Sequence, residues 1–390
     1  MSRDTLPSLT GMLAELVALP SMSSVSPEFD HGNQAVVDLL AGWLEDLDFR
    51  VEILPVADHP QKSNLIATLG EGPGGLVLAG HTDTVPCDPS RWRHDPFRLH
   101  EDGGRLHGLG TADMKGFFPL VLEAVRPLRA ADLKAPLIVL ATADEESSMN
   151  GARALVAAGR PRARHAVIGE PTSLVPVRAH KGILMEAVEV TGRSGHSSDP
   201  ALGDNALEGM HRVMAELLAW RAELQQRHRD ERFAVPVPTL NLGHIHGGDN
   251  PNRICGRCEL HFDLRPLPGM GLDELRGDLD ARLARCFAGS PLAVRRRSLI
   301  QGTEPLDTPA GAAIVRAAEE LTGHAAESAA YCTEGPYLNA LGMDTVVLGP
   351  GRIDQAHRPD EYLEAASIQP MLGILTELIE RFCVRAQPGA

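Results

Sequence analysis

Short apolar runs, each leading within a few residues to a histidine or a carboxylate, most constrain what this chain can fold into. Residues 65–69, 76–79, 137–143 and 166–168 read as buried strands bounded by glycine or turn residues. Helical periodicity marks residues 9–19 and 34–47 before them, and residues 117–128 and 152–158 between the later runs. Strands that alternate with helices predict an α/β fold whose sheet is mostly parallel and covered on both faces.

The pattern changes after Lys181. A strand over residues 184–190 precedes a long amphipathic helix over residues 206–226, with Leu207, Met210, Met214, Leu217 and Leu218 on its apolar stripe. Strand patterns follow at residues 239–244 and 257–264, then a helix from Leu272 to Cys286 and a strand at residues 292–297. The α/β pattern resumes with helices near 312–321 and 368–382 and a strand at 345–348. The expected organisation is therefore one α/β domain formed by residues 1–182 and 298–390, interrupted by an α+β domain over residues 183–297. A length of 390 residues agrees with two domains, since single cores stop growing beyond about 250–300 residues.

Composition removes several function classes. The formal charge of −15 repels phosphate backbones, and only 4% of residues are aromatic, so nucleic acid is not expected as a partner. No stretch approaches the roughly 18 uncharged apolar residues of a membrane span, and the N-terminal residues lack the pattern of a secretory leader. Six scattered cysteines in a long chain do not suggest a disulfide framework, so a cytoplasmic location is expected. Cys255 and Cys258 form one isolated CxxC. A zinc ribbon needs a second pair, so a structural role is expected for both.

The candidate ligands lie where strands end. His81 follows one apolar run, Asp144, Glu145 and Glu146 another, and Glu170 a third; His357 sits in the loop after the 345–348 run, and Asp113 lies within GLGTADMKG. In open α/β sheets, sites form outside the carboxyl ends of the strands, where distant residues meet. Imidazole and carboxylate donors suit zinc, cobalt or manganese better than calcium. Taken singly, each of these residues could be a turn residue, and Asp144 fits that reading best. A nucleotide-binding alternative lacks its motif, because the GLG of residues 108–110 runs into Thr-Ala-Asp rather than completing GxGxxG.

The blocks GHTDTVP (80–86), GLGTADMKG (108–116), ATADEES (141–147), GEPTS (169–173), SGHSSDP (194–200) and DQAHRPDEY (354–362) resemble the aminoacylase and metallopeptidase family that includes succinyl-diaminopimelate desuccinylase. The similarity runs from about residue 7 to 383. It implies a hydrolase that cleaves the amide of a small N-acyl amino acid with two divalent metal ions, zinc first and cobalt second. By this resemblance His81 and Glu170 hold one ion, Glu146 and His357 the other, and Asp113 bridges them. Glu145 is the general base, and Asp83 orients the His81 imidazole. The inserted domain is a dimerisation or lid domain, and its His196 reaches the partner's site in a homodimer. Arg253, assisted by Asn252, is a candidate for the substrate carboxylate, with Arg265 as competitor. Glu334 in YCTEGPY is a candidate acceptor for a basic substrate side chain.

Overall fold

In a computed structural model, which describes residues 6–57 and 59–385, the chain divides into two compact units. The outermost residues of the expected first domain, 1–5 and 386–390, lie outside the described residues. The first unit comprises Met1–Arg178, Thr308–Glu327 and Thr333–Ala390; the second comprises Ala179–Asp307 and Ser328–Cys332.

The first unit is built on a mixed sheet. Four adjacent strands at its centre run parallel, in the order Leu137–Thr142, Leu76–His81, His165–Ile168 and Asp344–Val347. Their register aligns the carboxyl ends: His81 lies opposite Thr142, Ala79 opposite Ile168, and Ile168 opposite Val347. All six residues of Leu76–His81 are buried. Leu76 and Leu78 join the main apolar cluster, while Val77 and Ala79 are buried outside it, as a strand covered on both faces requires.

The sheet is less uniformly parallel than the sequence pattern suggests. Arg50–Val56 and His59–Leu69 pair antiparallel, and His59–Leu69 also meets Leu137–Thr142 antiparallel. For the first of these pairs the reason is connection length. Two intervening residues can join antiparallel neighbours, whereas a parallel pair needs a crossover of a dozen or more. The long helical connections thus fall between the central strands, and the edge is a hairpin.

Helices Leu9–Val17, Gln34–Asp46, Phe117–Val125, Ala313–Thr322 and Ile368–Ile379 feed the main cluster. A small antiparallel sheet, Tyr362–Glu364 beside Arg105–His107 beside His100–Asp102, frames the loops that carry Asp113 and His357.

The second unit holds a four-stranded antiparallel sheet ordered Thr239–Gly247, Arg257–Arg265, Leu184–Thr191, Ala293–Ser298. Strand Arg257–Arg265 alternates strictly, burying Cys258, Leu260, Phe262 and Leu264. Helix Ala206–Arg227 packs Met210, Val213, Leu217 and Trp220 into the same core, and helix Leu272–Cys286 adds Leu275, Leu279 and Leu283. Leu207 and Leu218, placed on the apolar stripe by periodicity, are exposed instead. Cys255 and Cys258 are free thiols buried in this core; Cys255 precedes the strand, so period-two alternation does not relate them.

Candidate metal centre

Each candidate ligand in the first unit is carried by a strand end or by the loop leaving it. His81 is the last residue of the central strand. Glu170 follows strand His165–Ile168 by two residues, and the intervening Gly169 is sterically required: a Cβ there would lie 2.1 Å from the Phe117 ring. After Leu137–Thr142 the chain turns sharply at Asp144, whose φ of 67° is left-handed, and Glu145 and Glu146 follow. Asp144 is not a ligand candidate in the fold. Its carboxylate is held by Lys62 and by the hydroxyls of Ser23 and Ser148, both at 2.7 Å.

These loops converge on the two oxygens of Asp113. Oδ1 lies 3.0 Å from His81 Nε2, which is itself 3.7 Å from Glu170 Oε1. Oδ2 lies 3.5 Å from His357 Nε2, which is 2.9 Å from Glu146 Oε2. One carboxylate thus faces an imidazole–carboxylate pair on each side. Donor atoms of His81, Asp113 and Glu146 fall within 4.8 Å of one another, as do those of His81, Glu145 and Glu170. Glu145 is therefore as close to the His81–Glu170 pair as a ligand would be. His81, Asp113 and Glu170 are buried, while the His357 side chain is 55% exposed and marks the open side.

The electrostatics show a site short of positive charge. Burial and the charge of Glu170 push the Glu145 carboxyl well above the usual range; burial and Asp113 do the same to Glu170 and, to a lesser degree, to Glu146. Asp113 moves down despite its burial, because His81 hydrogen-bonds to it and His81 and His357 lie beside it. Burial opposes a proton on His81, but Glu170, Asp113 and Asp83 more than offset this and raise it. The hydrogen bond to Glu146 lifts His357 to about 9. Four carboxylates against two imidazoles leave negative charge that cations of nitrogen–oxygen preference would balance, so the donor set fits a metal pair.

Asp83 is near His81 but does a different job from the expected one. His81 Nδ1 is 2.9 Å from the main-chain carbonyl of Asp83, whereas the Asp83 carboxylate is 3.8 Å away. That carboxylate accepts the main-chain N–H groups of Glu145 and Glu146 at 3.3 and 3.1 Å. The imidazole is thus oriented by backbone, and the side chain fixes the turn that presents the two glutamates.

Residues expected around the substrate are placed as follows. His196, Asn252 and Arg253 lie in the second unit. His196 pairs with Arg253 in an isolated antiparallel bridge, its Nδ1 meets the Ser198 hydroxyl at 2.8 Å, and the Asn252 carbonyl accepts from Ser197 N–H. Arg253 is exposed and paired with Asp249 at 2.5 Å. Arg265 is tied to Asp263 at 2.9 Å. Glu334 is in the first unit and only 2% exposed. Its Oε2 accepts from Thr142 at 2.8 Å, and Oε1 has no hydrogen-bond partner. Burial pushes this carboxyl up to about 7.

Lys115 and Glu361 are two of several buried charged residues to which the sequence pattern assigns no role. Lys115, within the GLGTADMKG block, donates to the carbonyls of Leu16 and Leu19 at 3.1 and 2.7 Å, and burial brings it down to about 7. Glu361, four residues after His357, accepts three main-chain N–H groups of the Asp113 loop. Their only sequence signal is a charge inside a block that also carries a ligand.

Comparison with known proteins agrees with this architecture. The chain is 51% identical to an acetylornithine deacetylase of Edwardsiella ictaluri (strain 93-146), over 97% of this chain and 99% of that protein. It is 49% identical to an acetylornithine deacetylase of Pasteurella multocida (strain Pm70), again covering 97% and 99%. Among solved structures, an M20 family metallo-carboxypeptidase from Sulfolobus solfataricus superposes with a TM-score of 0.76 at 17% identity, covering 96% of this chain and 99% of the other. Residues 77–381 match the model of peptidase family M20/M25/M40, a span that carries every ligand candidate, and the chain belongs to that family.

Proposed function

We propose that the protein is a two-metal amide hydrolase that removes the acetyl group from N2-acetyl-L-ornithine, releasing L-ornithine and acetate in arginine biosynthesis. The substrate reading is supported by the two relatives of about half-identical sequence, both acetylornithine deacetylases of nearly the same length. The chemistry rests on one observation: the two oxygens of Asp113 face separate imidazole–carboxylate pairs. In this reading His81 and Glu170 would hold one ion and Glu146 and His357 the other, with the Asp113 carboxylate available to both. Zinc suits this donor set, with cobalt as the alternative.

Two metal ions held there would lower the pKa of a water to about 7 and polarise the acyl carbonyl. Glu145 takes the proton of the attacking water and returns it to the leaving amine. Asp83, through the N–H groups of Glu145 and Glu146, keeps that base at a fixed distance from the ligands. Arg253, with Asn252 beside it, receives the substrate α-carboxylate by exchanging its exposed partner Asp249. Glu334 accepts the δ-ammonium of the substrate.

The working form in this reading is a cytoplasmic homodimer, in which His196 of one protomer donates to the developing oxyanion in the site of the other. Strand Thr239–Gly247 supports such an assembly, since it is an edge of its sheet and leaves Ile245 50% exposed. Among the described residues, no helix is long and apolar enough to cross a membrane.

The test is a substrate panel on zinc- and cobalt-reconstituted protein: acetylornithine, acetylcitrulline, succinyl-diaminopimelate and a dipeptide. Acetylornithine should give the highest kcat/KM. Equal or faster turnover of any other member removes the assigned substrate while leaving the metal chemistry standing.

A further inference from the structure

Glu361 is 2% exposed and makes four hydrogen bonds to one short stretch of chain. Its main-chain carbonyl accepts the N–H of Gly108 at 3.1 Å. Its Oε2 accepts the N–H of Gly110 at 3.0 Å, and its Oε1 accepts those of Ala112 and Asp113 at 2.8 and 3.0 Å. A carboxylate offers about four lone-pair sites and no proton, so it can take three converging donors. A neutral amide cannot, because its NH2 would face one of them. The residue thus joins two loops, since His357 lies four positions before it in the chain and Asp113 is the last residue of the stretch it grips.

We propose that Glu361 is a positioning residue for the metal pair. It fixes the backbone that aims both oxygens of Asp113, and it locks that loop to the one bearing His357. The inference rests on the two-metal reading above. Outer partners of metal ligands commonly contribute 10- to 100-fold in affinity or activity. Glu361 does so by holding the peptide of the ligand rather than its side chain.

The test compares native protein with Glu361→Gln and Glu361→Asp, measuring zinc stoichiometry and zinc affinity by competition with a chelator. The native protein should hold two zinc ions. The Gln variant should bind them about 10- to 100-fold more weakly. Its turnover, lost at trace zinc, should return as zinc is raised, with KM for the acyl amino acid unchanged. The Asp variant keeps the charge but falls short by one methylene, and should lie between the two.

Native protein that does not retain two ions removes the two-metal reading itself. Native protein that retains them, with both variants binding zinc equally tightly, overturns the positioning role alone, even if the metal-free variants melt earlier. Should neither variant fold, amide exchange in the native protein decides. Slow exchange at Gly110, Ala112 and Asp113 in the metal-free form supports the clamp. Fast exchange there, slowed only by zinc, overturns it.

Discussion

Buried carboxylates at two places, one in each unit, are balanced in opposite ways. In the second unit Glu186 is fully buried within strand Leu184–Thr191. Arg276 Nε reaches it at 2.9 Å, Arg296 Nη1 at 2.7 Å and the Ser298 hydroxyl at 2.9 Å. Its charge is matched inside the fold, and nothing further is needed. In the first unit Asp113, Glu145, Glu146 and Glu170 crowd around two imidazoles, and three of the four carboxyls are driven upward by burial and by one another. A buried acid with two guanidinium partners stabilises a structure, whereas a cluster of acids without them is incomplete until cations arrive. Charge balance, more than burial, separates scaffold from site.

The strongest probe of this contrast is Glu145→Gln. Loss of a general base should lower kcat by about 10²- to 10⁴-fold while two metal ions remain, as read by steady-state kinetics and elemental analysis. Departure of an ion along with activity would make Glu145 a ligand, which its distance from His81 and Glu170 permits.

On the other side of the comparison, Glu186→Gln should destabilise the fold by about 3 kcal/mol, because two arginines lose a buried anionic partner. Metal content should not change. Denaturant unfolding and elemental analysis of the same sample check both halves, and a loss of bound metal would break the distinction between the units.

Glu334 lies between the two cases: buried, bonded through one oxygen and unpaired through the other. Its carboxyl is raised from 4.5 to about 7, so between those values the folded state holds a proton that the unfolded chain has released. Stability of the metal-free native protein should therefore fall as pH rises through this window. Glu334→Gln has no such proton to lose. It should be more stable than native protein by up to about 3 kcal/mol at pH 8, with the gap closing towards pH 4.5. Unfolding curves at the two pH values check the sign. A gap that widens in acid would mean Glu334 is ionised and compensated in the fold.

The candidates His81, Glu145, Glu146 and Glu170 stand out in the sequence because each closely follows a central strand, and strand ends can be read locally, whereas Asp113 and His357 lie in loops farther from any strand end. An apolar run such as residues 137–143 announces its own termination, and the acids that follow stand out against it. The expected division has a similarly local source, the change in helix–strand rhythm after Lys181. The compact units divide at 178/179 and 307/308, and Ser328–Cys332 goes with the second, whereas the pattern placed the breaks at 182/183 and 297/298. The three-residue strands at His100–Asp102, Arg105–His107 and Tyr362–Glu364 were invisible, because three residues cannot display a period.

Sequence by itself determined which residue types stand at the carboxyl ends of the central strands, since hydrophobic periodicity and chain order act over neighbouring positions. Only the tertiary structure decided their partners. Asp83 sits two residues from His81, yet its carboxylate grips the amides of Glu145 and Glu146, 62 and 63 positions away. Glu361 grips amides about 250 positions away, and Asp113 divides its two oxygens between separate donor pairs. Hydrogen bonds and charge pairing depend on distance in space, and no local pattern encodes which distant amide a buried carboxylate will meet.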